Sequence, residues 1–289
     1  MARLSDVLVI DKLPAMPVAL ARALPLLFEP RSEWSAIERV IRQDEALTGT
    51  VLRLANSAVF GAPGRYFDLR TALPRLGRDL LRKTLLQQHV SGITGGENAA
   101  FGLRRGDMWR SALGGAIAAE EFARRHAPEA VPLAFVCGLL RDIGKLAVNA
   151  TYGDAYAAMI SPHLARGGSF TDAERAALGF DHAQVGAALA CQWNLPRRIA
   201  DAIETHHRPV PPGPGHDSLF DVVHAADSIC RWAGLGVGDE GMEYGLATHV
   251  RESLRLDRRA AEREITLVWE RLREAETPLE QATKQGAAA

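Results

Sequence analysis

Apolar residues recur along this chain at three- and four-residue spacing, and strict alternation is scarce. That period belongs to helices, so the chain reads as all-α. Residues 1–12 read as a short helix leading into Leu13-Pro14-Ala15-Met16-Pro17, where two prolines hold an extended backbone. Val18 to Leu27 follows as a helix, with Pro25 near its end. Ser32 or Ser35 caps a helix to about Arg42, where Ser35 and Glu38 fit a capping box and Ile37, Val40 and Ile41 face inward. Asp44 is placed to cap Glu45 to Ala55, and Asn56-Ser57 suits a helix end or tight turn. Thr71 opens Ala72 to Leu76, which Gly77 stops, and Leu80 to Val90 is a further helix.

The polar, Gly-rich run Ser91 to Asn98 reads as a connector. Beyond it, Asp107 to Arg125 is a long helix, and Pro132 starts the next. Tyr152 to about Arg166 is helical and ends at Gly167-Gly168. Thr171 and Glu174 fit a capping box for a short helix that stops at Gly179. Asp181 caps His182 to Trp193, and Asn194-Leu195-Pro196 restarts the chain as a helix to about His206. Pro209 to Gly215 is a loop, Leu219 to Trp232 a helix capped by Asp217 or Ser218, and Gly234 to Gly245 loop-like. Helices near 247–254 and 259–276 close the pattern. The expected organisation is two packed helical subdomains, 1–95 and 96–276, with a flexible tail at 277–289. No repeat of fixed period is present.

Composition narrows the function classes. The chain of 289 residues is 47% hydrophobic and 24% charged, ordinary for a globular protein. A net charge of -1 gives no global attraction to nucleic acid or anionic lipid, so neither partner is expected. No apolar run has the length of a membrane span, and no signal-peptide region opens the chain, so the expected compartment is the cytoplasm. Cys137, Cys191 and Cys230 are far apart and read as buried, inert thiols. Trp109, Trp193 and Trp232 read as core.

One stretch carries candidate chemistry. In Phe135-Val136-Cys137-Gly138-Leu139-Leu140-Arg141-Asp142-Ile143-Gly144-Lys145-Leu146 an apolar run closes on a charged pair. It reads as the end of a buried helix, holding a site at the core edge. Lys145 reads as a surface or capping lysine near a helix C-terminus. No phosphate loop and no Ser/His/Asp arrangement is present.

Longer strings carry a resemblance. Leu13-Pro14-x-x-Pro17 is followed by Ile41-x-x-Asp44-x-x-Leu47-Thr48, Leu52-x-x-Ala55-Asn56-Ser57 and Ala72-x-x-x-Leu76-Gly77. Later come Gly138 to Leu146, then Asp181-His182-x-x-Val185-Gly186 with Trp193-x-Leu195-Pro196, then Ala202-Ile203-x-x-His206-His207-x-Pro209. In order and spacing this resembles the HDOD domain, a bacterial signalling domain related to HD phosphohydrolases, over roughly residues 10–235. The resemblance implies two helical subdomains, the second an HD-like bundle, and a role in signal transduction.

It also implies where a metal would sit. HD phosphohydrolases hold their ion with an early His, an adjacent His-Asp pair and a later Asp. Those positions fall here on Ser111, Arg141, Asp142 and Asp227. A guanidinium stays protonated and has no lone pair to give a metal. Arg141 is therefore expected to fill the position itself, pairing with Asp142, Asp227 or both. His182, His206 and His207 match extra ligand positions of the HD-GYP phosphodiesterases. A residual site of Asp142, His182, His206, His207 and Asp227 stands against a reading in which these histidines make structural hydrogen bonds at helix ends. The Glu of the HHE string and the Gly-Tyr-Pro segment are absent; Arg208-Pro209 stand instead. The expectation is a non-catalytic bacterial signalling protein that binds other signalling proteins, without a cofactor. The alternatives are a phosphohydrolase with a divalent metal on rearranged ligands, or a sensor of an anionic nucleotide.

Overall fold

The computed structural model describes residues 4–7, 16–57, 66–165, 169–238 and 245–286. Residues 13–15 of the proline-rich lead-in, Gly167-Gly168 and residues 239–244 of the expected loop lie outside them. The described residues are helical throughout, apart from turns and an isolated bridge between Asn98 and Leu103. None of these helices is long and apolar enough to cross a membrane.

The first part runs α1 (Leu4–Val7), α2 (Val18–Phe28), α3 (Trp34–Ile41), α4 (Glu45–Ala55), α5 (Leu69–Leu76) and α6 (Arg78–Thr94). The second runs α7 (Asp107–His126), α8 (Val131–Leu140), α9 (Gly144–Tyr152), α10 (Ala155–Leu164), α11 (Phe170–Leu178), α12 (His182–Gln192), α13 (Arg197–Thr205), α14 (Ser218–Trp232), α15 (Thr248–Ser253) and α16 (Arg258–Gly286). In α2, Leu20, Leu24 and Leu27 form the buried stripe, packed with Ile37, Ile41, Val51 and Leu73. The same apolar cluster continues through α6 into α7 and α8, so the two parts share one core. A second cluster around Phe101, Tyr156, Phe170 and Leu178 lies beneath α9 to α11. Charged side chains also cross between the parts. Arg82 of α6 reaches the carbonyls of Leu27 and Pro132, and Lys83 pairs with Glu120 of α7.

Several local expectations change. Glu33, not Ser32 or Ser35, precedes α3, and no side chain caps it. Asp68 caps α5 three residues earlier than Thr71 would, through a bond to the Thr71 amide. The helix expected to stop at Val90 continues to Thr94, taking up part of the connector. The stretch after Asp142 forms a helix of its own, α9, and the helix expected from Tyr152 starts at Ala155. Ser169 and Asp172 form the capping box of α11, which leaves Glu174 facing inward. The last helix continues past 276 to Gly286, in keeping with the helix-forming Glu, Gln, Ala and Lys there. Cys137 and Cys230 are buried, but Cys191 is exposed. The three tryptophans are half-buried at the margin of the core rather than within it.

Two close helix approaches set up the centre. A Cβ built on Gly138 of α8 would lie 2.3 Å from the Gly115 carbonyl oxygen of α7. Only glycine at both positions lets these backbones approach so closely. At the other end of the turn, a Cβ on Gly144 would lie 2.0 Å from the His182 carbonyl oxygen, so α9 and α12 are equally tight.

Candidate functional site

Helix α8 ends on Leu140 with its inner face committed to the core. The chain then turns through Arg141, Asp142 and Ile143, closed by bonds from Ile143 N to Leu140 O (2.9 Å) and Lys145 N to Asp142 O (3.0 Å). The charged pair is thereby buried instead of reaching water. Arg141 is only 1% exposed and heads the chain's largest fully buried side chains.

Its guanidinium is fully engaged. Nε donates to Asp227 Oδ1 at 2.9 Å, Nη1 to the carbonyls of Ser111 (3.0 Å) and Gly138 (2.9 Å), and Nη2 to Ser111 Oγ at 2.7 Å. Asp142 Oδ2 lies 3.4 Å from Nη2. A Cβ at Gly115 would stand 2.1 Å from Nη1, so the glycine also makes room for the guanidinium. The four positions Ser111, Arg141, Asp142 and Asp227 are thus in one place, with Arg141 at their centre.

Two further cations complete the arrangement. Lys145 Nζ lies 3.0 Å from Asp142 Oδ1 and 5.4 Å from the centre of the Phe101 ring. Lys145 is buried in the first turn of α9, which corrects the expectation of a surface or capping lysine at a helix C-terminus. Arg231, one turn beyond Asp227 on α14, donates Nε to Asp227 Oδ2 at 2.9 Å. Burial by itself pushes the Asp142 carboxyl up, but Lys145 and then Arg141 outweigh it and hold it well below the usual carboxylate range. Arg231 and Arg141 do the same for Asp227 against the same burial.

The histidines line the neighbouring side. His182 opens α12 and gives Nδ1 to Glu174 Oε2 at 2.7 Å, while Glu174 Oε1 accepts from the Tyr156 hydroxyl. Its Nε2 is 2.8 Å from His207 Nε2 and 3.6 Å from Asp142 Oδ1. His206 donates Nδ1 to Ile203 O at 2.6 Å and turns Nε2 toward Asp142 Oδ1, 3.9 Å away. His207 Nδ1 is 3.5 Å from Asp227 Oδ2. Burial pushes His206 down to about 4, only partly offset by Asp227 and Asp142, and it also pushes His207 well below its ordinary value. Both rings are neutral near pH 7.

The fit to a metal differs between two places. The position between Ser111, Asp142 and Asp227 does not fit an ion, because the guanidinium fills it and cannot ligate. One donor each from Asp142, His182, His206 and His207 lie within 4.8 Å of one another, and their chemistry suits a borderline-soft ion. His206 Nε2 is buried without a hydrogen bond, whereas Asp142 Oδ1 faces Lys145 Nζ at 3.0 Å. The electrostatics oppose an ion there, since Asp142 already faces both Lys145 and Arg141. Three fixed cations (Arg141, Lys145, Arg231) stand against three carboxylates (Asp142, Glu174, Asp227).

Lys145, Glu174 and Arg231 were not anticipated. Lys145 and Arg231 carry a readable signal, since each lies one helical turn beyond an aspartate it pairs with. Glu174 carries none, because the capping pattern at Thr171 hid it.

Comparison with known proteins follows from this geometry. The chain is 28% identical over 207 residues, 68% of its length, to an uncharacterised protein of Treponema pallidum (strain Nichols), and spans 38% of that relative. A crystal structure from Shewanella amazonensis SB2B, provisionally named a phosphohydrolase, is similar at 26% identity and TM-score 0.59 over 91% of this chain and 98% of that one. A Marinobacter aquaeolei VT8 structure, provisionally named for signal transduction, shares the fold at 22% identity and TM-score 0.67, over 94% of this chain and 59% of that one. The HDOD domain model matches residues 13–209, spanning the turn at Arg141 and the histidines, and the chain belongs to the HDOD domain family.

Proposed function

We propose that this protein is a regulatory module of bacterial signal transduction that acts by binding other signalling proteins in the cytoplasm, and that its HD-type centre is structural. The observation that carries this reading is Arg141, whose guanidinium takes the place a metal would need and is matched there by carboxylates and carbonyls. Phosphoester hydrolysis of the HD kind requires an ion to lower the pKa of a bound water and to neutralise developing charge. A centre whose carboxylates are already paired with fixed cations gives such an ion little to gain. The name given to the Marinobacter protein points the same way.

The test combines metal analysis with turnover. Purified protein is expected to contain no metal that depends on Asp142, so metal content is the same in wild type and Asp142→Ala. No phosphodiester is expected to be hydrolysed with added Mn, Fe or Zn. Arg141→His alone is not expected to restore turnover, because Ser111 still lacks an imidazole. A stoichiometric ion lost in Asp142→Ala, or hydrolysis by either protein, overturns the reading. Capture of partners from the native host then identifies what the surface binds.

The second reading is a phosphohydrolase with rearranged ligands. It is favoured by one observation, the unbonded His206 Nε2 gathered with Asp142, His182 and His207. The name given to the Shewanella protein agrees with it. The same metal analysis separates the two.

A further inference from the structure

Away from the ion-pair core, two more histidines gather around a different buried carboxylate. Asp221, in the first turn of α14, is 3% exposed. His216, in the loop before α14, places Nε2 at 3.0 Å from Asp221 Oδ2. His249, in the first turn of α15, places Nε2 at 3.6 Å from Asp221 Oδ1. Ser253 Oγ, one turn further along, contacts Oδ2 at 3.4 Å. Asp221 Oδ1 and His249 Nε2 are both buried, and neither makes a hydrogen bond. A buried carboxylate oxygen and a buried imidazole nitrogen facing each other unbonded is a costly arrangement, which a shared metal ion would relieve.

The surroundings favour that cation. Asp142 and Asp227 are each held by two fixed cations, whereas Asp221 is paired with no arginine or lysine among the described residues. Arg198, bonded to Asp217 just before α14, is already closed on that carboxylate at 2.5 and 2.7 Å. His224 shares this face of α14 but is occupied at both nitrogens. Its Nδ1 donates to His206 O at 2.7 Å, and its Nε2 accepts from Ala247 N at 3.0 Å. Ala247 is the residue that opens α15, so this bond sets where His249 stands relative to Asp221.

We propose that His216, Asp221 and His249 bind one divalent transition-metal ion, with Zn(II) the best chemical match. Two imidazoles and a carboxylate form a common zinc ligand set. The two imidazole side chains are each 20% exposed, so the site lies close to the surface. Their ring centres are 6.4 Å apart, and a shared ion draws them together, pulling the loop at His216 against α15. The ion would thus clasp α14, α15 and that loop at a place distinct from the HD-type centre.

The experiment is titration of chelator-stripped full-length protein with Zn(II) alone, followed by calorimetry. One equivalent is expected, with affinity roughly tenfold or more weaker in His216→Gln and in His249→Gln. Zinc is expected to raise the melting temperature of wild type and not of the double variant. Zinc absorption spectroscopy on wild type is expected to show two imidazoles and no sulfur, a reading that does not depend on any variant folding. Absence of one-equivalent binding, unchanged affinity in both variants, or a sulfur or three-imidazole environment each overturns the proposal. None of the three ligands belongs to the ion-pair core, so failure here leaves the regulatory reading standing, and failure there leaves this site standing.

Discussion

Replacing Arg141 with methionine isolates what the buried guanidinium contributes. The substitution keeps an unbranched side chain in the channel between α7 and α8 but removes all four hydrogen bonds and the charge. At the 3.4 Å separation from Asp142, the lost attraction is about 5 kcal/mol with an effective dielectric constant of about 20. Much of that is offset by the cost of burying the ions. Breaking a buried pair from one side typically costs about 3–5 kcal/mol. Here Lys145 still faces Asp142 and Arg231 still faces Asp227, which places the expected loss near the lower figure, about 3 kcal/mol. A domain stable by about 5–15 kcal/mol remains folded after such a loss. Urea unfolding at neutral pH measures it, with an unchanged m-value as the sign that the compactness of each state is preserved. Combining Arg141→Met with Asp227→Asn is expected to give a double variant at least about 1 kcal/mol less destabilised than the sum of the singles. The exposed pair of Arg258 and Glu262 is the contrast, and Arg258→Ala is expected within about 0.5 kcal/mol of wild type. A loss in Arg141→Met below about 1 kcal/mol, or strict additivity in the cycle, refutes the claim that this guanidinium holds the centre together.

Gly138→Ala places a Cβ against the Gly115 carbonyl oxygen, and urea unfolding is expected to show a loss of about 1–3 kcal/mol or more as α7 and α8 are pushed apart. Asn56→Ala removes bonds in both directions to the Tyr66 backbone (2.7 and 3.0 Å); faster proteolysis between residues 57 and 66 is expected, and an unchanged cleavage rate refutes it. Stability is expected to fall from pH 7 toward pH 4. His206 titrates near 6.5 unfolded but about 4 folded, so the unfolded chain binds more protons in that window and acid favours it, by up to about 3 kcal/mol from this residue. The lowered carboxyls of Asp142 and Asp227 add a loss below their unfolded value of 3.8; a urea midpoint unchanged between pH 7 and pH 5 refutes the assignment of neutral His206.

Fold class and most helix boundaries were legible because the helical period and the caps are local. Asp44 and Asp181 cap the helices expected of them, and of Asp217 and Ser218 it is Asp217 that caps α14. Where two local signals competed, the pattern was ambiguous. Ser169 and Asp172 fit a capping box as well as Thr171 and Glu174 do, and only the burial of the Glu174 side chain against His182 and Tyr156 selects the first. The proximity of Ser111, Arg141 and Asp227 was reached through family resemblance, because they are separated by up to 116 positions along the chain (227 minus 111) and no periodicity links them. Lys145 was misread for a related reason. A helix boundary placed beyond it made it a C-terminal lysine, whereas the break at Asp142 puts it at the start of the next helix, where its ammonium turns inward.

The arginine at position 141 is better understood as one part of a matched set than as a single altered letter. Its Nη1 occupies the space that any side chain at position 115 would take, so it requires Gly115. Its Nη2 needs a small acceptor on α7, which Ser111 supplies at 2.7 Å, and a larger imidazole at that position would compete for the same volume. Asp227, which a metal would otherwise neutralise, now has Arg231 on its far oxygen as well as Arg141 on its near one. Asp142 has Lys145 in the same relation. On the proposed structural reading, each of these residues weakens the case for an ion between Asp142 and Asp227. An ion at that position would then require changing Ser111 and Arg141 together and relieving the paired cations at Lys145 and Arg231.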